Sequence, residues 1–385
     1  MHPEETQRSD MILLTAVAVL VIIGLLMIYS ASSFRAEEKY GDANIFLFQH
    51  LVRVFIGLVI MLVASKIDYH RYRWITPFLF LGLTAFLVLV LFEDKINGSR
   101  RALTLMGKDF QPSEFMKLTV ILYLAAVFGK KWNKQDLPED NVMVHYTIVL
   151  LVVGLIFLEP DLGTALVIFS VALVMFFIGG VTWRTIGRMG VILIPIVIVG
   201  LSIFSYQLKR LTDFLESVLG SGEMSYQVKQ SIIGLAQGGL TGQGYGAGRQ
   251  KLFFLPEPFS DFILASLGEE MGLLGITLVF VLMTIILWRG LKIARNAPDR
   301  YGSLIAGGIT SLIMINGLIN AGVVVNLLPT TGLPFPFLSY GGSSLLVLLV
   351  GVGIMLNISK QRPVSLKSFT RRRAQDWQSA GRANR

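Results

Sequence analysis

The sequence predicts an all-α polytopic membrane protein with about ten transmembrane helices, and three observations carry that reading. Hydrophobic residues make up 53% of the 385 positions and charged residues only 15%, well under the quarter charged that a soluble globular domain carries. The mean hydropathy is +0.64. The apolar residues also fall in runs near the ~20 residues that a helix needs to cross the hydrocarbon layer. A soluble core cannot absorb this much apolar side chain, so a cytosolic enzyme, a disordered protein and a disulfide-stapled secreted domain are excluded. The absence of cysteine removes thiolate nucleophiles, disulfides and cysteine zinc sites. The four histidines, His2, His50, His70 and His145, are too scattered to propose a metal cluster.

Spans are expected at residues 11–29, 45–65, 75–92, 110–128, 142–158, 162–180, 191–206, 262–288, 301–328 and 338–358. The second and fourth carry charge: Arg53 in one, Glu114 and Lys117 in the other. No small-residue cleavage site follows the first, which reads as an anchor and not a signal peptide. Ten spans put both termini on one side, and basic residues choose the cytoplasm. With the termini inside, the inner segments hold 21 Lys and Arg and the outer segments 11. The chain then divides into a cytoplasmic N-terminus, 1–10, a ten-helix membrane domain, 11–358, and a basic cytoplasmic tail, 359–385. A large extracytoplasmic loop, 207–261, separates the seventh and eighth spans. The net charge of +9 is therefore largely a topology signal plus a tail. In that tail Arg371, Arg372 and Arg373 either touch anionic lipid or stay solvated, and nothing calls for nucleic acid. Within the large loop, 226–237 mixes Val228, Ile232, Ile233 and Leu235 with Lys229, Gln230 and Ser231, a pattern suited to a short amphipathic helix on the outer membrane surface. No internal repeat is visible.

Ionisable residues at membrane depth are costly and mark function. Glu114 and Lys117 stand three apart on one helix face, where they either neutralise each other or line a substrate cavity. Pro160 ends one span and Asp161 stands at the N-cap position of the next, free to cap, to pair with Lys117, or both. Asp261 falls at the mouth of the eighth span, in the headgroup layer. It is either an N-cap or a candidate general base, since partial desolvation favours a protonated carboxyl. At about 100° per residue, Glu269 and Glu270 lie off the Asp261 face and form no paired-carboxylate site with it. The run Gly238, Gly239, Gly242, Gly244, Gly246 and Gly248 lacks the lysine and hydroxyl of a P-loop and follows no strand, so it reads as a mobile exposed loop more than a nucleotide cradle. Residues 329–344 are too rich in Pro and Gly to span and too apolar for a free loop. A short re-entrant or surface-buried turn, covered by protein, is the expected solution.

Taken in order, several stretches resemble the SEDS family (shape, elongation, division and sporulation), the FtsW/RodA type of bacterial peptidoglycan glycosyltransferase. They are Asn97-Gly98-Ser99-Arg100-Arg101, Phe110-Gln111-Pro112-Ser113-Glu114 with Lys117, 159–165, the Gly-rich run leading into 255–262, and 329–344. The likeness covers nearly the whole chain. Two positions depart: Ala102-Leu103 replaces the family's usual aromatic and aliphatic pair, and Phe259 stands where a histidine is common, so no imidazole assists Asp261 from there. The resemblance implies polymerisation of lipid II, an undecaprenyl-pyrophosphate-linked disaccharide pentapeptide, on the outer face of the bacterial cytoplasmic membrane. It implies Asp261 as the essential carboxylate, Arg100, Arg101 and Lys117 as pyrophosphate ligands, and Glu114 and Asp161 as organisers of the cavity. A divalent cation, Mg or Mn, would help neutralise the pyrophosphate, although no metal ligand set is readable. A class B penicillin-binding protein and other division or elongation proteins are the implied partners. Tyr226-Gln227, Gln230-Ser231, Leu255-Pro256-Glu257 and 327–332 sit closer to the cell-division branch than to the elongation branch, which implies the division septum. A flippase for the same precursor and a non-catalytic division scaffold are the competing classes. The lack of a repeat and the concentration of motifs on one face favour an outward-facing enzyme.

Overall fold

The computed structural model describes residues 9–92, 103–105, 108–129, 139–192, 205–220, 222, 224–252, 254–256 and 258–361. Its helices are α1 (Met11–Tyr40), α2 (Ile45–Lys66), α3 (Tyr72–Val90), α4 (Pro112–Gly129), α5 (Glu139–Leu158), α6 (Leu162–Ile178), α7 (Ser205–Leu219), α8 (Tyr226–Gly238), α9 (Ile263–Asn296), α10 (Arg300–Val324) and α11 (Gly342–Lys360). Seven of these, α1 to α4 and α9 to α11, are long and apolar enough to cross a membrane, while the apolar part of α5 and all of α6 are shorter. The chain is thus a multi-pass membrane protein. Most of the span expected at 191–206, the paired Arg100 and Arg101, and the tail from 362 lie outside the described residues.

Local chemistry explains where the helices begin and end. The Asp10 side chain accepts a hydrogen bond from the Leu13 amide at 3.1 Å and starts α1, which continues well past position 29 until Gly41 ends it in the left-handed region, φ 69°; an N-cap acceptor and a residue tolerant of positive φ at the close are the common helix boundaries. The described residues include one small hairpin, β1 (Leu103–Leu105) with β2 (Lys108–Phe110), antiparallel with Thr104 opposite Asp109. Only Met106 and Gly107 separate the strands in sequence, the spacing of a tight hairpin. Most of α4, α10 and α11 is buried, whereas α2 and α3 turn apolar faces outward. Close packing rests on small residues, as expected where lipid offers no hydrophobic drive between helices: a Cβ on Gly353 of α11 would lie 2.4 Å from the Met61 carbonyl of α2.

The Gly-rich run is exposed in large part, yet it is tied down rather than free. Helix α9 breaks at Gly272, φ 65° and ψ −162°, a conformation open essentially to glycine alone. The break leaves backbone groups that the run satisfies. Leu273 donates to the Gly239 carbonyl at 2.9 Å, Gln243 to that of Glu269 at 3.0 Å and Gly244 to that of Glu270 at 3.1 Å. The approach is so close that a Cβ on Gly242 would sit 2.1 Å from the Glu270 carbonyl. Two buried carboxylates hold the far end. Glu269 accepts from the Arg249 amide at 2.6 Å and the Gln250 amide at 3.2 Å. Glu270 accepts from Lys251 Nζ at 2.6 Å and Ser30 Oγ of α1 at 2.6 Å. Helix α8 buries Val228, Ser231 and Gly234 and packs on α9, with Ser231 Oγ donating to the Val324 carbonyl at 2.9 Å. The amphipathic face is therefore spent on protein.

Gly272→Ala is expected to cost about 1–3 kcal/mol, lowering the thermal midpoint of the detergent-purified protein and exposing residues 239–250 to protease. Gly154→Ala, where an added methyl meets nothing within 4 Å, should leave both readouts at wild type. Equal behaviour of the two variants would sever the loop from the α9 break.

Candidate active site

At the end of the bundle that carries the Gly-rich loop, four segments converge on a cavity of about 210 Å³. Gln111 and Glu114 come from the start of α4, Asp161 and Thr164 from the start of α6, and Ser260 and Asp261 from the turns before α9. Gly332, Pro334 and residues 340–344 supply the remaining wall. Four of the sequence-predicted site residues are placed: Asp261, Glu114 and Asp161 line this cavity, and Lys117 sits one helical turn beneath Glu114. A larger cavity of about 540 Å³ lies at the opposite end around Asp10 and Arg289. There the arginine is spent in a bidentate pair with that aspartate, Nε to Oδ2 at 2.8 Å, so it offers less to a ligand.

Asp161 caps α6. Its Oδ1 accepts from the Thr164 amide at 3.1 Å, and its Oδ2 accepts from Gln111 Nε2 at 3.0 Å. Lys117 Nζ donates to Glu114 Oε1 at 2.6 Å, with both side chains buried. The lysine therefore pairs along its own helix and not with Asp161. A buried pair of this kind adds little net stability when intact but leaves an uncompensated charge when one partner is removed.

Asp261 is not a helix cap. The N-cap position of α9 belongs to Phe262 and carries no side-chain bond, because the chain is still turning at 258–262. The half-buried carboxylate takes a hydrogen bond from Ser260 Oγ at 3.1 Å. The backbone around it is held from several sides. Asn320 of α10 donates both amide hydrogens, one to the Asp261 carbonyl and one to the Leu333 carbonyl, each at 2.7 Å. The Tyr340 amide donates to the Phe259 carbonyl at 2.9 Å, and Ser266 Oγ donates to that of Pro258 at 3.0 Å. Asn320 is buried and was not singled out in the sequence. Its signal was a polar residue within an apolar span, which at membrane depth calls for a partner.

The wall formed by 329–341 is irregular and buried, with Leu333, Phe335, Phe337 and Leu338 each 2% exposed or less. Helix α1 covers it at Gly24, where a Cβ would stand 2.7 Å from the Leu338 carbonyl. Helix α11 starts at its end with Gly341 at the N-cap and no side-chain cap, so its first N–H groups offer donors and a positive dipole end to an anion. The three carboxylates do not make a metal cage: among the described residues no group of three His, Cys, Asp or Glu is placed to hold an ion. Glu114 is engaged by Lys117, Asp161 by the α6 amide and Gln111, and Asp261 by Ser260 Oγ.

Lys117→Met strands Glu114 as an unpaired buried acid, with an expected loss of about 3–5 kcal/mol. The double variant Lys117→Met with Glu114→Gln should recover much of the lost thermal midpoint. A single variant as thermostable as wild type would show that the pair does not support the fold.

The family model described as cell cycle protein FtsW, RodA and SpoVE matches residues 10–363. A probable peptidoglycan glycosyltransferase FtsW of Trichlorobacter lovleyi is 39% identical over 361 residues, covering 93% of this chain and 94% of its own. Stage V sporulation protein E of Bacillus subtilis is 40% identical over 358 residues, covering 91% and 97%. Among solved structures, a peptidoglycan synthase complex described as coordinating polymerization and crosslinking contains a chain that superposes with a TM-score of 0.74 at 26% identity, covering 91% of this chain and 98% of that one. The rod shape determining protein RodA of Thermus thermophilus superposes at 0.69 and 25% identity, covering 92% and 97%. With its fold, its motif segments and its length all matched, the chain belongs to the FtsW/RodA/SpoVE family.

Proposed function

We propose that this chain is a peptidoglycan glycosyltransferase that polymerises lipid II on the outer face of the cytoplasmic membrane, in septal synthesis during cell division. The observation that carries the reading is the placement of Asp261: a carboxylate that caps no helix, on a cavity wall whose backbone is fastened by Asn320 and Tyr340. In the reaction the C4 hydroxyl of one lipid-linked sugar gives its proton to Asp261 while its oxygen bonds to the anomeric carbon of another. The bond from that carbon to the lipid diphosphate breaks, the diphosphate leaves with the electron pair, and configuration inverts. The uncapped first turn of α11 supports the charge that develops on the leaving group. Arg100 and Arg101 are assigned to the same diphosphate, and Glu114, Lys117 and Asp161 to holding the cavity's shape. A class B penicillin-binding protein is the proposed partner, consistent with the synthase complex among the structural relatives.

Asp261→Asn should lower the rate of lipid II polymerisation by about 10²–10⁴ in the full chain assayed with a transpeptidase partner. The thermal midpoint should stay close to wild type, because asparagine keeps the shape of the side chain and an oxygen that can still accept from Ser260. Near-wild-type polymer from this variant would return the chain to the flippase reading, which needs no base.

The topology follows from the 21-to-11 division of basic residues and is checked separately. A cysteine introduced at Ser221 of this cysteine-free chain should react with an impermeant thiol reagent in intact spheroplasts. One at Ser379 should react only after permeabilisation. The reverse pattern would place the cavity on the cytoplasmic side.

A further inference from the structure

Arg53 is a charged residue within a span, eight residues into α2, or about 12 Å along a helix axis. A guanidinium at that depth is costly and calls for a partner, yet among the described residues no carboxylate pairs with it. Its contact is the Tyr340 ring, with Cζ 4.5 Å from the centroid. Tyr340 in turn donates its hydroxyl to Gln49 Oε1 at 2.7 Å. Arg53 also lies against the start of α11, where a Cβ on Gly342 would stand 3.3 Å from its Nε. Tyr340 and Gly342 both line the Asp261 cavity. On the other side, the neighbouring Val52 and Phe55 are exposed on the outward face of α2. The guanidinium thus marks a junction between an acid-lined cavity and the lipid-facing surface.

A lipid-linked sugar has to straddle such a junction. Its sugars enter the polar cavity, its hydrocarbon stays in lipid, and its diphosphate lies between them. The cavity's own lysine is not available for that anion, since Lys117 is bound to Glu114 at 2.6 Å. We propose that Arg53, braced on Tyr340, receives the diphosphate of the lipid-linked substrate at the membrane-side mouth of the cavity and so sets affinity for it. This rests on the polymerase reading above. The planar guanidinium suits the task because it donates in parallel to phosphate oxygens while its face remains stacked on the ring.

The test uses the full chain with its transpeptidase partner in nanodiscs of neutral phospholipid, with polymerisation followed against lipid II concentration. Arg53→Gln is expected to raise KM by about 10- to 100-fold, the range for a lost hydrogen bond to a charged group, with kcat little changed. Inhibition by undecaprenyl diphosphate should weaken in parallel. Arg53→Lys keeps the cation and the ring contact but loses the fork, so its KM should fall between the two; if the glutamine variant does not fold, the lysine variant decides. An unchanged KM and unchanged diphosphate inhibition in the folded variants would overturn the proposal. So would a KM difference seen only in discs containing phosphatidylglycerol, which would assign the guanidinium to bulk anionic lipid. Failure of the wild type to make any polymer would instead count against the polymerase reading itself.

Discussion

Irregular backbone cannot be left unsatisfied where water is scarce, and the candidate site is built from two irregular segments. In hydrocarbon, non-helical chain survives only where protein takes up its amide and carbonyl groups. Residues 255–256, 258–262 and 329–341 meet that condition by bonding to each other and to the helices around them. Asn320 spans the gap with one amide group serving both carbonyls. Tyr340 donates across to Phe259, Ser339 Oγ accepts from the Phe335 amide at 2.8 Å, and Arg35 of α1 donates to the Leu255 carbonyl at 2.7 Å. The position of Asp261 is therefore a consequence of backbone satisfaction. Its peptide group is fixed by Asn320, and its carboxylate takes a further hydrogen bond from Ser260 Oγ.

Much of this was legible from the chain alone, for a physical reason: a bilayer imposes one length and one polarity on every span. The apolar runs at 45–65 and 162–180 correspond to α2 and α6 within a residue or two. What local sequence could not carry were features decided by tertiary contact. The α9 break at Gly272 is recognisable only once the Gly-rich run is seen filling it. Asp261 looked like a cap because an acid before an apolar run usually is one, and only the turns at 258–262 move the cap to Phe262. Arg53 reads in the sequence only as a charge within a span, since the Tyr340 ring that receives it lies nearly 290 residues away in the chain.

The Gly-rich run shows how one constraint generates another. A broken helix at membrane depth exposes amides and carbonyls, and the neighbouring loop must come close enough to pair with them. Only residues lacking a Cβ allow that approach. Glu269 and Glu270 then become buried anchors for the returning chain, one on backbone amides and one on Lys251 and Ser30. Helix α1 joins the same assembly through Ser30 and through the Leu26 carbonyl, which accepts from Tyr245 at 2.8 Å. Close packing accounts for glycine at 238, 242 and 248, and positive φ for glycine at 239, 244 and 246, without any need for a bound nucleotide.

The same physical logic separates the three acids on the cavity wall. A general base has to meet the substrate hydroxyl and later release its proton to solvent. Glu114 and Asp161 are each only 4% exposed, with Oε1 of the first bonded to an ammonium and both oxygens of the second to a helix amide and Gln111. Both acids are thereby spent on the shape of the cavity. Asp261 is the more exposed of the three, and the bonds that hold its segment run through the backbone carbonyl. It is therefore the acid of the three that a substrate hydroxyl reaches most readily, on a wall held in part through its own backbone carbonyl.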